Sequence, residues 1–207
     1  CCGRWRHPVC ALTVVIWTAY SATQLKDAEA LSYYSSGRYY VSTGDIETGI
    51  ALYRRALAQS PEALPLDYVY YRLCNLLLAT GGDFGPVLAE AREALPTDDK
   101  ILALYYALES LSLDPRGRDI GLQKMGAILD SSAELKSGKS ENLRSMIATI
   151  YHNAAQGLAL HGMVDRAANA LEIALIWDAE RELSRQFLEN IERAREDDRR
   201  EPVNHGD

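Results

Sequence analysis

From about residue 24 the apolar residues recur at helical spacing almost throughout the chain. Gly and Pro fall between the apolar runs instead of alternating with short β-branched segments, so no sheet is expected. The breaks lie at Gly44-Asp45, Ser60-Pro61 through Pro65, Gly81-Gly82-Asp83, Pro96-Thr97-Asp98, Asp114-Pro115-Arg116-Gly117, Ser131 to Ser140, and His161-Gly162. They cut the chain into helices of roughly 12–18 residues joined by short loops, and short loops make consecutive helices antiparallel hairpins. The pattern predicts an all-α fold over residues 23–200. Its last helix, about Glu180 to Asp198, carries Leu183, Phe187, Leu188, Ile191 and Ala194 on one stripe and Glu182, Arg185, Glu189, Glu192, Arg193 and Glu196 on the other. That division predicts a solubilising cap. Residues 201–207 are expected to be a disordered tail.

The beginning of the chain follows a different pattern. Gly3-Arg4-Trp5-Arg6-His7 is basic, and a mostly apolar run follows from Pro8 to Ala22. A bilayer span wants about 20 apolar residues, whereas the apolar part of an export signal needs roughly 7–15. Ala19 and Ser21 supply the small residues that a signal peptidase reads. Residues 1–22 are therefore expected to be a signal peptide or an N-terminal membrane anchor, with a buried helix or a mistranslated start as the remaining reading. Cys1, Cys2, His7 and Cys10 match the spacing of no common zinc finger.

Internal repetition organises the rest. Ala30 to Pro61 holds Tyr33, Gly37, Tyr40, Gly44-Asp45, Gly49, Tyr53, Ala56 and Pro61. In these spacings the segment resembles the tetratricopeptide repeat, two helices in about 34 residues. Gly49 stands where Ala is usual, which keeps the close approach at a cost in helix propensity of about 1 kcal/mol. Tyr68 to Pro96 is a weaker match through Tyr71, Asn75, Leu78, Gly82-Asp83, Val87, Ala91 and Ala94, and Ala148 to Ala179 gives another through Tyr151, Ala154, Ala155, Leu158, Gly162, Ala167, Leu171 and Ala174. Between them Lys100–Leu113 and Ile120–Asp130 form a degenerate pair in which Gly121, Met125 and Ile128 keep the spacing.

The resemblance implies a right-handed solenoid of three to four antiparallel helix hairpins with a C-terminal capping helix. It also implies a partner-binding groove lined by the first helix of each repeat. Carried over position by position, the groove residues are Tyr34, Arg38 and Val41 in the first unit, Val69, Arg72 and Leu76 in the second, and His152 and Gln156 in the third. Guanidinium groups capture carboxylates bidentately, so Arg38 and Arg72 point to a protein or peptide partner with an acidic side chain or a free C-terminus. The competing reading makes both arginines ordinary ion pairs on a solvated face.

Composition narrows the function classes. Of 207 residues 47% are hydrophobic and 25% charged, the profile of an ordinary globular protein. Lys+Arg 22 against Asp+Glu 29 gives a net charge of −7, and omitting residues 1–21, with Arg4 and Arg6, leaves 20 − 29 = −9. No basic stripe for nucleic acid is visible. Twelve Tyr against two Phe is lopsided, and Tyr33, Tyr40, Tyr53 and Tyr71 fall at packing positions of the repeats.

Catalytic and cofactor motifs fail one by one. Ser137-Gly138-Lys139-Ser140 has Ala133 where a phosphate-binding loop needs Gly. There is no Gly-x-Ser-x-Gly elbow and no His-Glu-x-x-His, and the four histidines have no partner at metal-ligand spacing. No enzyme activity, metal or cofactor is expected. The expected function is a protein-interaction scaffold or assembly factor, exported to a periplasm or held at a membrane. The alternative is a permanent structural subunit of a larger membrane complex, with residues 1–22 retained in the bilayer.

Overall fold

A computed structural model describes residues 6–111, 120–125, 127–128 and 140–200. The chain is all-α, and no strand occurs among the described residues. It divides into two compact units, Cys1–Val69 and Tyr70–Asp207.

The first unit is built on helices α1 (Arg6–Ser42) and α2 (Ile46–Gln59), followed by a single 3-10 turn (Pro61–Ala63) and the opening residues of α3 (Leu66–Ala79). α1 ends in a Schellman turn. Gly44 takes φ 90°, its N–H donates to the Val41 carbonyl at 3.2 Å, and the Asp45 N–H donates to the Tyr40 carbonyl at 3.0 Å. Asp45 then caps α2 by accepting from the Thr48 N–H at 3.1 Å. The hairpin closes over Ala30, Tyr53 and Ala56, all buried. Lower down, the Ser60 hydroxyl donates to Asp27 Oδ1 at 2.5 Å and Gln59 bonds Glu29.

α1 has 37 residues, about 55 Å at 1.5 Å per residue, against about 21 Å for the 14 residues of α2. It runs unbroken through residue 22, and Tyr20 and Leu25 on its earlier turns are exposed. Among the described residues no helix is long and apolar enough to cross a membrane. The expected tail at 201–207 lies outside the described residues.

The second unit continues α3 and adds α4 (Gly85–Ala94), α5 (Asp99–Ser110), α6 (Ser140–Leu160), α7 (Val164–Trp177) and α8 (Glu182–Arg200). Residues 120–125 are also helical, and Met125 and Ile128 are buried. The breaks at 112–119 and 131–139 fall outside the described residues. α3 and α6 end as α1 does. Gly81 (φ 69°) donates to Leu78 and the Gly82 N–H to Leu77; Gly162 (φ 72°) donates to Ala159 and the Met163 N–H to Leu158. In the middle unit the left-handed residue is thus Gly81, one before the expected Gly82. Asp83 sets the start of α4, accepting from the Gly85 N–H at 3.1 Å.

α6 is the hub of this unit. Ile147, Ala148, Ile150, Tyr151, Ala154 and Ala155 are all buried. Toward α5, the Tyr151 and Ser110 hydroxyls share a bond of 2.5 Å, and Ser110 also donates to the Ala107 carbonyl at 2.6 Å. Toward α7 and α8, Ala155 packs with Ala167, Ala168, Leu171 and Ile191, and Phe187 and Leu188 cover them. Toward α3, Asn153 Nδ2 donates to Asn75 Oδ1 at 2.9 Å and Tyr71 to the Met146 carbonyl at 3.3 Å. Gly157 brings the two backbones together: a Cβ there would stand 2.2 Å from the Leu78 carbonyl oxygen. In a regular stack of hairpins each repeat touches only its neighbours. Here α6 lies directly on α3, although α5 comes between them in sequence.

Two side-chain expectations change. Tyr40, placed in the core by its repeat position, is 38% exposed and meets Tyr39 edge to face at 5.6 Å. On α8, Leu183 is 64% exposed while Ser184 is fully buried, because Ser184 bonds a ring nitrogen of α6.

Candidate functional site

Four of the expected groove residues lie in the first unit. Tyr34 is half-buried, 6.1 Å from the Tyr53 ring and edge-on to Tyr68 at 6.4 Å. The exposed Arg38 guanidinium stands 5.9 Å from the Tyr34 ring centre, a cation–π arrangement that leaves its fork of donors toward solvent. Val41 is half-buried against Gly49, and Val69 is fully buried. Tyr34 and Arg38 therefore come together on one face of α1, while Val69 is a packing residue.

The other four lie in the second unit. Arg72 is exposed, and Leu76 and Gln156 are half-buried. His152 is only 7% exposed, wedged between α6 and α8 with its ring edge-on to Phe187 at 6.1 Å. Its Nδ1 is 3.0 Å from Ser184 Oγ and its Nε2 3.3 Å from Gln156 Nε2. With the Gln156 amide donating, Nε2 accepts and Nδ1–H donates to Ser184, which makes the ring a neutral tautomer. His152 thus joins α8 to α6 and does not line an open face.

Burial, with the charge of Arg181 second, pushes the His152 pKa below its ordinary value of 6.5. The unfolded chain then binds this proton more readily than the folded one, so folding stability is lost as pH falls below about 6.5. Urea unfolding at about pH 7.5 and about pH 5.5 should show a larger loss for the native chain than for His152→Gln. Equal losses would remove His152 from the account of acid stability.

The second unit also holds a cavity of about 500 Å³ that the sequence did not announce. The α3–α4 turn, the end of α5, the end of α6 and the start of α7 line it, and it opens to the surface. Leu78, Phe84, Leu108, Leu158 and Met163 make most of the wall. Its polar members are Glu109, His161 and Arg166. His161 Nε2 is 3.0 Å from the Gly81 carbonyl. Arg166 donates to the Leu111 carbonyl at 2.6 Å and points its other terminal nitrogen at Met163 Sδ, 3.4 Å away. Glu109 Oε1 accepts a long 3.4 Å bond from Tyr105, and Glu109 Oε2 is buried with no partner.

Glu109 and Arg166 are 57 positions apart, so no spacing rule links them. One sequence signal was present: an acidic residue in the last turn of α5, where the helix dipole disfavours negative charge. Elsewhere, Cys74 is a buried thiol whose pKa burial pushes up to about 12, so it behaves as a small core residue. Among the described residues no three His, Cys, Asp or Glu side chains form a group that could hold a metal ion. Compared with known family models, curated proteins and solved structures, the chain matches none.

Proposed function

We propose that the chain is a protein-interaction module of tetratricopeptide-like helix hairpins that binds an extended partner segment. The supporting observation is the threefold recurrence of one turn. α1, α3 and α6 each end on a left-handed glycine, Gly44, Gly81 and Gly162, with the same pair of Schellman bonds, and each is followed at once by a second helix. The direct seating of α6 on α3 makes the stacking irregular compared with a uniform solenoid.

The partner chemistry follows from the face of α1. Arg38, held over Tyr34, offers a guanidinium fork to a carboxylate, so the preferred segment carries an acidic side chain or a free C-terminus. Scaffold or assembly work, exported or tethered through residues 1–22, fits the apolar run at the start of the chain. No catalytic step and no cofactor is part of this reading. The test is affinity capture from the native host with the native chain and Arg38→Glu, sequencing the bait's own N-terminus. Partners that are substoichiometric and lost in Arg38→Glu support an adaptor. A fixed stoichiometric set of membrane partners, unchanged by the substitution, overturns it in favour of a permanent subunit.

A further inference from the structure

We propose that α8 is a proton-released cap on the α6–α7 hairpin, with His152 as the trigger that undocks it and bares the apolar face beneath. This goes beyond the interaction reading and does not rest on it. The geometry is a polar joint set in an apolar seat. His152 Nδ1 on α6 meets the fully buried Ser184 hydroxyl of α8 at 3.0 Å, and Phe187 lies edge-on to the ring. Behind the joint, Leu188 and Ile191 pack with Ala155, Ala167, Ala168 and Leu171. Further along α8 the Arg195–Asp165 pair sits at the surface, where ion pairs contribute little.

The groups that face the ring carry no negative charge. From α6 comes the Gln156 amide, from α8 Ser184 and Phe187, and from the α7–α8 turn the positive charge of Arg181, whose Nε is buried without a partner. Glu180 and Glu182 beside that turn are exposed, and Glu182 is taken by Arg185 and Gln186. A second ring proton therefore puts an unpaired cation in a buried site under the field of another cation, which is costly. Turning the Gln156 amide satisfies the new N–H but supplies no counter-charge. Lifting α8 returns the imidazolium to water. α6 and α7 need not follow, because they close their own hairpin at Gly162 and α6 also bears on α3 and α5. α8 is attached along one face, with Arg185, Glu189 and Glu192 exposed on the other, and lightly packed elements of this kind open at the least cost.

The experiment is hydrogen–deuterium exchange of the full chain at about pH 7.5 and about pH 5.5, corrected for the intrinsic pH dependence of amide exchange. One proton with an ordinary pKa of 6.5, linked to undocking, gives at most about tenfold between those two values. The α8 amides are expected to exchange about three- to tenfold faster at the lower pH, while those of α6 and α7 stay within about twofold. His152→Gln keeps a donor for Ser184 without a titrating proton and should remove the response. Asp165→Asn removes the surface pair with Arg195 and should leave it. The proposal is overturned if α8 does not respond, if α6 and α7 open with it to the same extent, if the response survives His152→Gln, or if Asp165→Asn abolishes it. Should His152→Gln fail to seat α8 at either pH, the contrast between α8 and the α6–α7 hairpin in the unsubstituted chain still decides.

Discussion

Tyr53→Ala is expected to destabilise the first unit by about 3–5 kcal/mol, the usual cost of truncating a buried aromatic ring. Tyr53 is 1% exposed and its ring lies between α2 and α1. It touches Tyr34 on one side, and a Cβ at Gly37 would stand 3.1 Å from it on the other. That Gly37 contact shows why the loss cannot be absorbed by a small shift: the helices already approach as closely as the missing side chain at 37 allows. The vacated space would therefore remain largely open, and cavity cost scales with the volume left behind. Tyr40→Ala is the internal control. At 38% exposed Tyr40 lies at the margin of the core, and the change should cost only about 1 kcal/mol. Urea denaturation followed by helical circular dichroism distinguishes the two; similar midpoints for both variants would contradict the packing described.

Gly157→Ala is the second large effect. The added methyl would sit 2.2 Å from the Leu78 carbonyl oxygen, and backbone cannot rotate away as a side-chain tip can. α6 must lift from α3, straining the Asn153–Asn75 bond and the Tyr71 bond to Met146. Overpacking of this kind costs about 1–3 kcal/mol, enough to lower the melting temperature by several degrees in a chain of this size. Gly44→Ala separates clash from conformational strain. At Gly44 a Cβ meets nothing within 4 Å, so only the positive φ resists, at a cost of about 1 kcal/mol. If Gly157→Ala were the milder change, α6 would not lie on α3 as described.

Local chemistry was legible in the sequence. The spacing of Gly44, Tyr53 and Ala56 fixed the first hairpin, because turn, aromatic and close approach all lie within one unit. The same reasoning placed the breaks at Ser60–Pro65, Gly81–Asp83 and His161–Gly162. Contacts that join distant elements were not legible. Gly157 reads as an ordinary helical residue until Leu78 is seen against it. Repeat logic placed His152 on an open face, but its partner Ser184 lies 32 residues away on a helix whose stripe was read through Leu183. Tyr40 failed for the same reason in reverse: its repeat position predicts a neighbour that does not cover it. Glu109 and Arg166 carried no shared motif, so the cavity could be found only in three dimensions.

The most direct measurement of the interaction reading is fluorescence anisotropy of the full chain against labelled peptides with acidic C-termini, each as the free acid and as the amide. Free acids are expected to bind saturably and the matching amides more weakly, with loss of that difference in Arg38→Glu. Equal binding of acids and amides, or a preference that survives Arg38→Glu, would contradict it.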